Sequence, residues 1–236
     1  MKKIDFNRNW TCRCLTRDEE PYSVTLPHDA MRSEPRTAES VSEGNSGWYL
    51  GGDYEYTKHV FVPSEYSGKK VLIEFESVYH NAEVYINGKK AAYRPYGYTN
   101  FYVDTEGFLK YEAQNEIRVI ARNSDQPNSR WYSGAGIYRD VYLLESGLTH
   151  IVPEGVQIKT ENADENYATL KTSVELENKT AVPQNLVVET VIRDSEGKET
   201  GKEVTHATLF GSESRTVKQR ILVENPDLWS AESPSL

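Results

Sequence analysis

Apolar and polar residues alternate with a period of two in several separate runs. Val71, Ile73 and Phe75 alternate with Leu72, Glu74 and Glu76, and Ile117, Val119 and Ala121 alternate with Glu116, Arg118 and Arg122. Successive side chains of a strand point to opposite faces, so both runs predict half-buried strands. Tyr54 to Val62 predicts a third, ended by Pro63, and Ile137, Val141 and Leu143 set against Tyr138, Asp140 and Tyr142 predict a fourth, its apolar face interrupted by Arg139. Val84-Tyr85-Ile86 runs into Asn87-Gly88 and then Lys89-Lys90. Asn-Gly is the pair best suited to the positive φ angles of a type I′ turn, which makes this segment a hairpin. No segment sustains the i, i+3, i+4, i+7 spacing of an amphipathic helix over three turns, and β-branched and aromatic residues dominate the ordered stretches. The chain is therefore expected to be all-β, each domain closing as a sandwich, jelly roll or barrel.

The texture changes near Glu145-Ser146-Gly147. Upstream the chain is rich in Trp, Tyr and Gly; downstream Val, Thr, Glu and Lys prevail, with Tyr167, Phe210 and Trp229 as the aromatics. This places a domain boundary between residues 1–146 and 147–236. Five strands are predicted in the second part: Val156 to Thr160, Tyr167 to Glu177, Leu186 to Arg193, Val204 to Leu209 and Thr216 to Val223. Turn residues separate them at Asn162 to Asn166, Asn178 to Pro183 and Ser195-Glu196-Gly197. That spacing suits an immunoglobulin-like sandwich, which has about seven strands.

Composition narrows the partners. The 236 residues hold 27 Lys+Arg against 36 Asp+Glu, a net charge of −9, and no dense basic patch. Nucleic acid and anionic lipid are thereby disfavoured. No apolar run approaches a membrane span and no apolar stretch follows Lys2-Lys3, so a soluble, cytoplasmic protein without membrane partners is expected. Cys12 and Cys14 would share one face of a strand, too close in sequence for an ordinary loop-closing disulfide, and read as reduced, buried thiols. A metal site would need two further soft ligands, and none is apparent; no metal and no cofactor are expected.

Candidate chemistry is sparse. His28, in Leu26-Pro27-His28-Asp29, sits beside a carboxylate that could orient an imidazole, but no Ser, Cys or metal partner lies at a recognisable spacing, and a structural role is favoured. Gly134-Ala135-Gly136 lacks the third glycine and the helix of a dinucleotide site and reads as a turn. Among 36 acidic residues no catalytic pair can be singled out, because a glycosidase pair is defined by its separation in space. Asn9-Trp10-Thr11 and Asn178-Lys179-Thr180 match the glycosylation sequon, a pattern that often occurs by chance. The aromatics carry more information: Tyr93, Tyr96, Tyr98, Phe101 and Tyr102 surround Pro95 and Gly97, and Ser129-Arg130-Trp131-Tyr132-Ser133-Gly134 forms a polar loop. Large rings on such a loop are either a wedge beneath it, the reading physics favours, or a platform for a flat apolar ligand face such as a sugar, with a guanidinium beside it.

Taken in order, Phe6-Asn7-x-x-Trp10, Leu26-Pro27-His28-Asp29, Gly47-Trp48-Tyr49, Ala82-Glu83-Val84-Tyr85-Ile86-Asn87-Gly88, Gly97-Tyr98, Asp104, Asn115-Glu116-Ile117-x-Val119 and Ser129 to Val141 resemble the N-terminal region of glycoside hydrolase family 2, the family of β-galactosidases, β-glucuronidases and β-mannosidases. Asn225-Pro226-Asp227-Leu228-Trp229-Ser230 with Pro234-x-Leu236 resembles the late part of the family's second domain. The resemblance implies a jelly-roll sugar-binding domain, 1–146, followed by an immunoglobulin-like domain, 147–236, truncated at its C-terminal end. In the family a (β/α)₈ barrel then carries both catalytic glutamates of a retaining mechanism. Neither has a counterpart here, so no catalytic residue is assigned.

The loop Arg32 to Ser46 and the loop holding Arg130, Trp131 and Tyr132 are where family members reach towards the barrel's active site. Some members present an aspartate near the second loop to sugar hydroxyls; here the stretch reads Asn128-Ser129-Arg130, leaving Arg130 as the substrate-facing donor. The chain is thus expected to be the non-catalytic part of a β-galactosidase-like enzyme, with Arg130, Trp131 and Tyr132 contacting a β-galactoside or related carbohydrate and the missing barrel as partner. A free-standing carbohydrate-binding module and a structural spacer are the alternatives. An open sheet edge in the second domain, with apolar groups among Leu186, Val188 and Ile192 uncovered, is expected to promote homo-oligomers.

Overall fold

The computed structural model describes residues 1–234. The chain divides into two compact units at Ser146/Gly147, Met1 aside, and among the described residues the only helical segments are short 3₁₀ turns at Ala30–Ser33, Glu43–Ser46 and Ser64–Tyr66.

The first unit holds ten strands: β1 (Lys2–Asp5), β2 (Trp10–Cys14), β3 (Tyr22–Val24), β4 (Gly52–Val62), β5 (Lys70–Phe75), β6 (Ala82–Ile86), β7 (Lys89–Arg94), β8 (Phe101–Asp104), β9 (Ala113–Asn123) and β10 (Val141–Ser146). They form a six-stranded sheet, β3-β2-β4-β9-β6-β7, and a four-stranded sheet, β1-β10-β5-β8, every pair antiparallel. This is a jelly roll. Its core joins Trp10, Cys12, Tyr56, Val84 and Val119 from the larger sheet to Ile73, Phe75, Val103 and Val141 from the smaller. Alternation decides which residues enter that core: β2 is buried at Trp10, Cys12 and Cys14 and half-buried between them. Both cysteines are free thiols. Burial pushes the Cys12 thiol up to about 11, although hydrogen bonds to Tyr22 and Tyr56 oppose the shift, so it packs as a small apolar group. The β6–β7 hairpin turns through Asn87 and Gly88 with φ of 51° and 78°, the positive values that a type I′ turn requires.

Two strands depart from expectation. β5 is buried on both faces. It lies between β10 and β8, and its polar side chains find charged partners there: Glu74 takes an ion pair from Lys3 at 3.0 Å, and Lys70 pairs with Asp104. Alternation reports apolarity, whereas neighbouring charges can cover the polar face as well. The strand expected from Ile137 begins only at Val141. Ile137 is buried all the same, because its carbonyl accepts from His28 N at 2.8 Å and ties the preceding loop to another part of the chain.

The second unit holds β11 (Thr149–Ala163), β12 (Tyr167–Asn178), β13 (Gln184–Arg193), β14 (Glu199–Leu209) and β15 (Ser214–Glu224), in one sheet of order β11-β12-β15 and one of β13-β14. Val174, Leu176, Val188, Leu209 and Val217 form its immunoglobulin-like core, with Leu186 and Ala207 against them. Val188 and Leu186 are therefore not the uncovered groups expected. Exposed apolar groups lie instead on several strands: Ile158 and Val156 on β11 are 61% and 49% exposed although their register partners Thr172 and Val174 are buried, and Val187 on β13 and Leu222 on β15 are exposed as well. Asn178 of the second sequon is buried and bonded to Val182 O and Phe210 O, both at 2.9 Å, so its match is indeed fortuitous as a modification signal. The segment after β15 has no regular structure as far as Pro234; Leu236, the end of the motif that resembles the family's second domain, lies outside the described residues.

Candidate functional site

The connection from β9 to β10 carries Arg130, Trp131 and Tyr132. All three are exposed, Trp131 by 60% and Tyr132 by 41%. Trp131 is therefore not a core wedge. Its indole N–H donates to the hydroxyl of Tyr98 at 3.0 Å, and Tyr98 packs edge-on to Tyr79 and Tyr96 at centroid distances of 5.3 and 5.6 Å. An indole held at its nitrogen and 60% exposed can receive the apolar face of a flat ligand, and the adjacent Arg130 supplies a fork of donors. Tyr132 differs. Its hydroxyl donates to Asp29 Oδ2 at 2.6 Å and its ring packs against Tyr49 at 5.7 Å. Burial first, and then the Asp29 carboxylate, push this phenol far above its ordinary range, so it stays protonated as a donor.

The loop is framed by groups from distant parts of the chain. Asp29 Oδ1 accepts from Ala135 N at 3.0 Å and from Met31 N at 3.1 Å. At the end of β9, the fully buried Asn123 donates to Gly134 O at 3.1 Å and accepts from Asn128 at 2.7 Å and Gln126 at 3.1 Å. Asn128 donates to Asn123 Oδ1 at 2.7 Å and Asp125 O at 3.2 Å, its amide nitrogen lies 3.2 Å from His80 Nε2, and its amide oxygen accepts from the Tyr79 hydroxyl at 3.4 Å. The neighbouring loop joins through Ser42, whose hydroxyl donates to Gln126 at 2.5 Å.

Glycine allows the close packing beneath. A Cβ on Gly136, at φ 102°, would lie 2.0 Å from the Tyr56 hydroxyl, and one on Gly134, at φ 68°, would lie 2.8 Å from Asp29 Oδ2. Gly134-Ala135-Gly136 is thus a structural element but not the turn expected: Gly136 forms an antiparallel bridge with Tyr79, each amide donating to the other's carbonyl, at 2.8 Å from Gly136 and 3.0 Å from Tyr79. His28 has no catalytic partner among the described residues: its Nδ1 lies 2.9 Å from the Tyr56 hydroxyl, and burial lowers its pKa against the pull of Asp29. Of the residues that frame the loop, Asp29 was expected only to orient the His28 imidazole and Tyr98 only to belong to the aromatic cluster, and Asn123 was not singled out. For Asp29 a signal was available, a short acceptor directly before a turn; for Asn123 and Tyr98 the partners are too distant in sequence to leave one.

Comparison with known proteins supports the same division of the chain. Residues 46–147 match the glycosyl hydrolases family 2 sugar binding domain, and residues 149–236 match a second glycosyl hydrolases family 2 model. The chain is 33% identical over its whole length to beta-galactosidase BoGH2A of Bacteroides ovatus, and 29% identical over 78% of its length to a beta-glucuronidase of Formosa agariphila. It covers 29% and 21% of those proteins, respectively, and so spans less than a third of either. A crystal structure of a family 2 member from Bacteroides cellulosilyticus superimposes with a TM-score of 0.90 at 27% identity, across 100% of this chain and 32% of that one. With both family models matched in sequence order on a jelly roll and an immunoglobulin-like sandwich, the chain belongs to glycosyl hydrolase family 2.

Proposed function

We propose that this chain is the non-catalytic, substrate-side part of a retaining family 2 β-galactosidase, with Arg130, Trp131 and Tyr132 on the loop that meets the sugar. The observation that carries the proposal is Trp131, a large ring left 60% exposed yet oriented by a hydrogen bond to Tyr98. Ordering an apolar ring in water costs entropy and leaves its surface hydrated, an arrangement that suits a site awaiting a ligand. Identity to a β-galactosidase across the whole chain supports a β-galactoside as substrate. The chain itself supplies no acid/base pair; it places the sugar, and hydrolysis belongs to glutamates on a barrel. In the full-length enzyme, Trp131→Ala should lower kcat/KM by about tenfold, equivalent to ~1.4 kcal/mol of transition-state stabilisation, while the urea midpoint of the first unit stays unchanged. Unfolding of the chain on that substitution, or unaltered kcat/KM, would reject the assignment. Tight binding of galactose or lactose by the chain alone would identify a free-standing module instead.

A further inference from the structure

We propose that Asp29 and Asn123 are positioning residues for carbohydrate capture, holding the segment that carries Arg130 and Trp131 without touching the sugar; this rests on the reading that the loop faces substrate. Asp29 acts on the C-terminal side of that segment. One carboxylate takes the hydroxyl of Tyr132 at 2.6 Å, the amide of Ala135 at 3.0 Å and the amide of Met31 at 3.1 Å. Bonds to an ionised acceptor are the strong ones, and only a short acidic side chain offers two oxygens at this reach. Gly134 lies so close to the carboxylate that a Cβ there would sit 2.8 Å from Oδ2, so loop and carboxylate are fitted to one another. Asn123 acts on both sides: its amide nitrogen holds Gly134 O, while its amide oxygen receives Asn128 and Gln126.

Arg130 and Trp131 thus lie between two clamped stretches, 126–128 and 132–135. Within that interval the Trp131 indole is bonded to Tyr98. Asn123 is buried and Asp29 half-buried beneath the loop, so both act through it. A displacement of about 1 Å in a binding group can cost up to ~100-fold, which is why the clamp belongs to substrate capture and not to folding alone.

The test compares variants of the full-length enzyme on an aryl β-galactoside. Asp29→Ala should raise KM by about tenfold with kcat within about twofold, the pattern of lost binding that is uniform between ground and transition states. Asp29→Asn keeps an oxygen for the two backbone amides and should restore KM to within about threefold of wild type. Asn123→Ala should match Asp29→Ala. Should the Asn123 variant not fold, Tyr132→Phe, which deletes one hydroxyl, still tests the clamp and should raise KM by about threefold. Hydrogen exchange at the amides of residues 129–135 should quicken in Asp29→Ala and Tyr132→Phe. Unchanged KM in both of these variants, with Trp131→Ala still raising it, overturns the positioning role alone. Unchanged KM in Trp131→Ala as well shows that the loop does not face the sugar, and both readings fall together.

Discussion

Tyr56 shows how much a single residue in this jelly roll depends on others far away. Its ring is fully buried, its hydroxyl meets His28 Nδ1 at 2.9 Å and donates to His28 O at 3.3 Å, and Gly136 lies directly against it. Gly136→Ala would add a Cβ with no room and a positive φ, and should destabilise the first unit by about 3 kcal/mol, measured by urea unfolding. The same neighbourhood sets a pH dependence. Burial lowers the pKa of His28 against Asp29, and lowers that of His80 against a hydrogen bond to Asn123 and the charges of Asp125 and Asp53. A lowered folded pKa means that the unfolded state binds the proton more readily. The stabilisation is therefore complete above the ordinary imidazole value of about 6.5 and is lost as pH falls below it through the folded values. The urea midpoint of the first unit should fall between pH 7.5 and pH 5, and the fall should shrink in a His28→Gln/His80→Gln variant. A flat profile in the wild type would contradict this. At this level the sequence was legible in part: the motif Leu26-Pro27-His28-Asp29 stood out, but adjacency in sequence could not show that the imidazole turns to Tyr56 while the carboxylate turns to the loop.

Strands whose stability comes from local alternation were the easiest to read. β4, β9 and the Asn87-Gly88 hairpin follow directly from side-chain period and turn chemistry, because each is specified by residues within a few positions of one another. β5 was misjudged on its outer face and the start of β10 was placed too early, since charge partners such as Lys3 and backbone partners such as His28 come from elsewhere in the chain. In the second unit the facing sheets share a polar tie. Gln219, buried on β15, donates to Val188 O at 3.0 Å and Thr205 Oγ1 at 3.1 Å, and accepts from Thr190 at 2.6 Å and Thr172 at 3.3 Å. Replacing it with Leu strands those buried groups and should cost about 2 kcal/mol in the second unit's urea transition while leaving the first unit's unchanged. The smaller core of this unit and the sheet of two strands in which β13 pairs only with β14 among the described residues give weaker protection against local opening. Hydrogen exchange should be faster in β13 than in β4 or β9, and equal protection would contradict that ranking.

For the whole molecule, the fold class follows from the alternation alone, and membership of family 2 from motifs distributed along the chain, now matched by the family models. The proposed division of labour makes a further demand. Because the family carries its acid/base and nucleophile on a barrel, this chain alone should release no nitrophenol from an aryl β-galactoside above the buffer rate; turnover surviving purification to homogeneity would refute it. Aromatic clustering marks the β9–β10 loop as a candidate site, yet local physics favoured a wedge beneath the loop, and the 60% exposure of Trp131 corrects that. Periodicity and turn residues act over a few neighbouring positions, so strands, hairpin and family motifs are written locally in the chain. Exposure of a ring is decided by what packs beneath it. Trp131 is bonded to Tyr98, and the loop that carries it is held at Ala135 by Asp29 and at Gly134 by Asn123, groups brought together from separate stretches of sequence only when the two sheets close over their shared core.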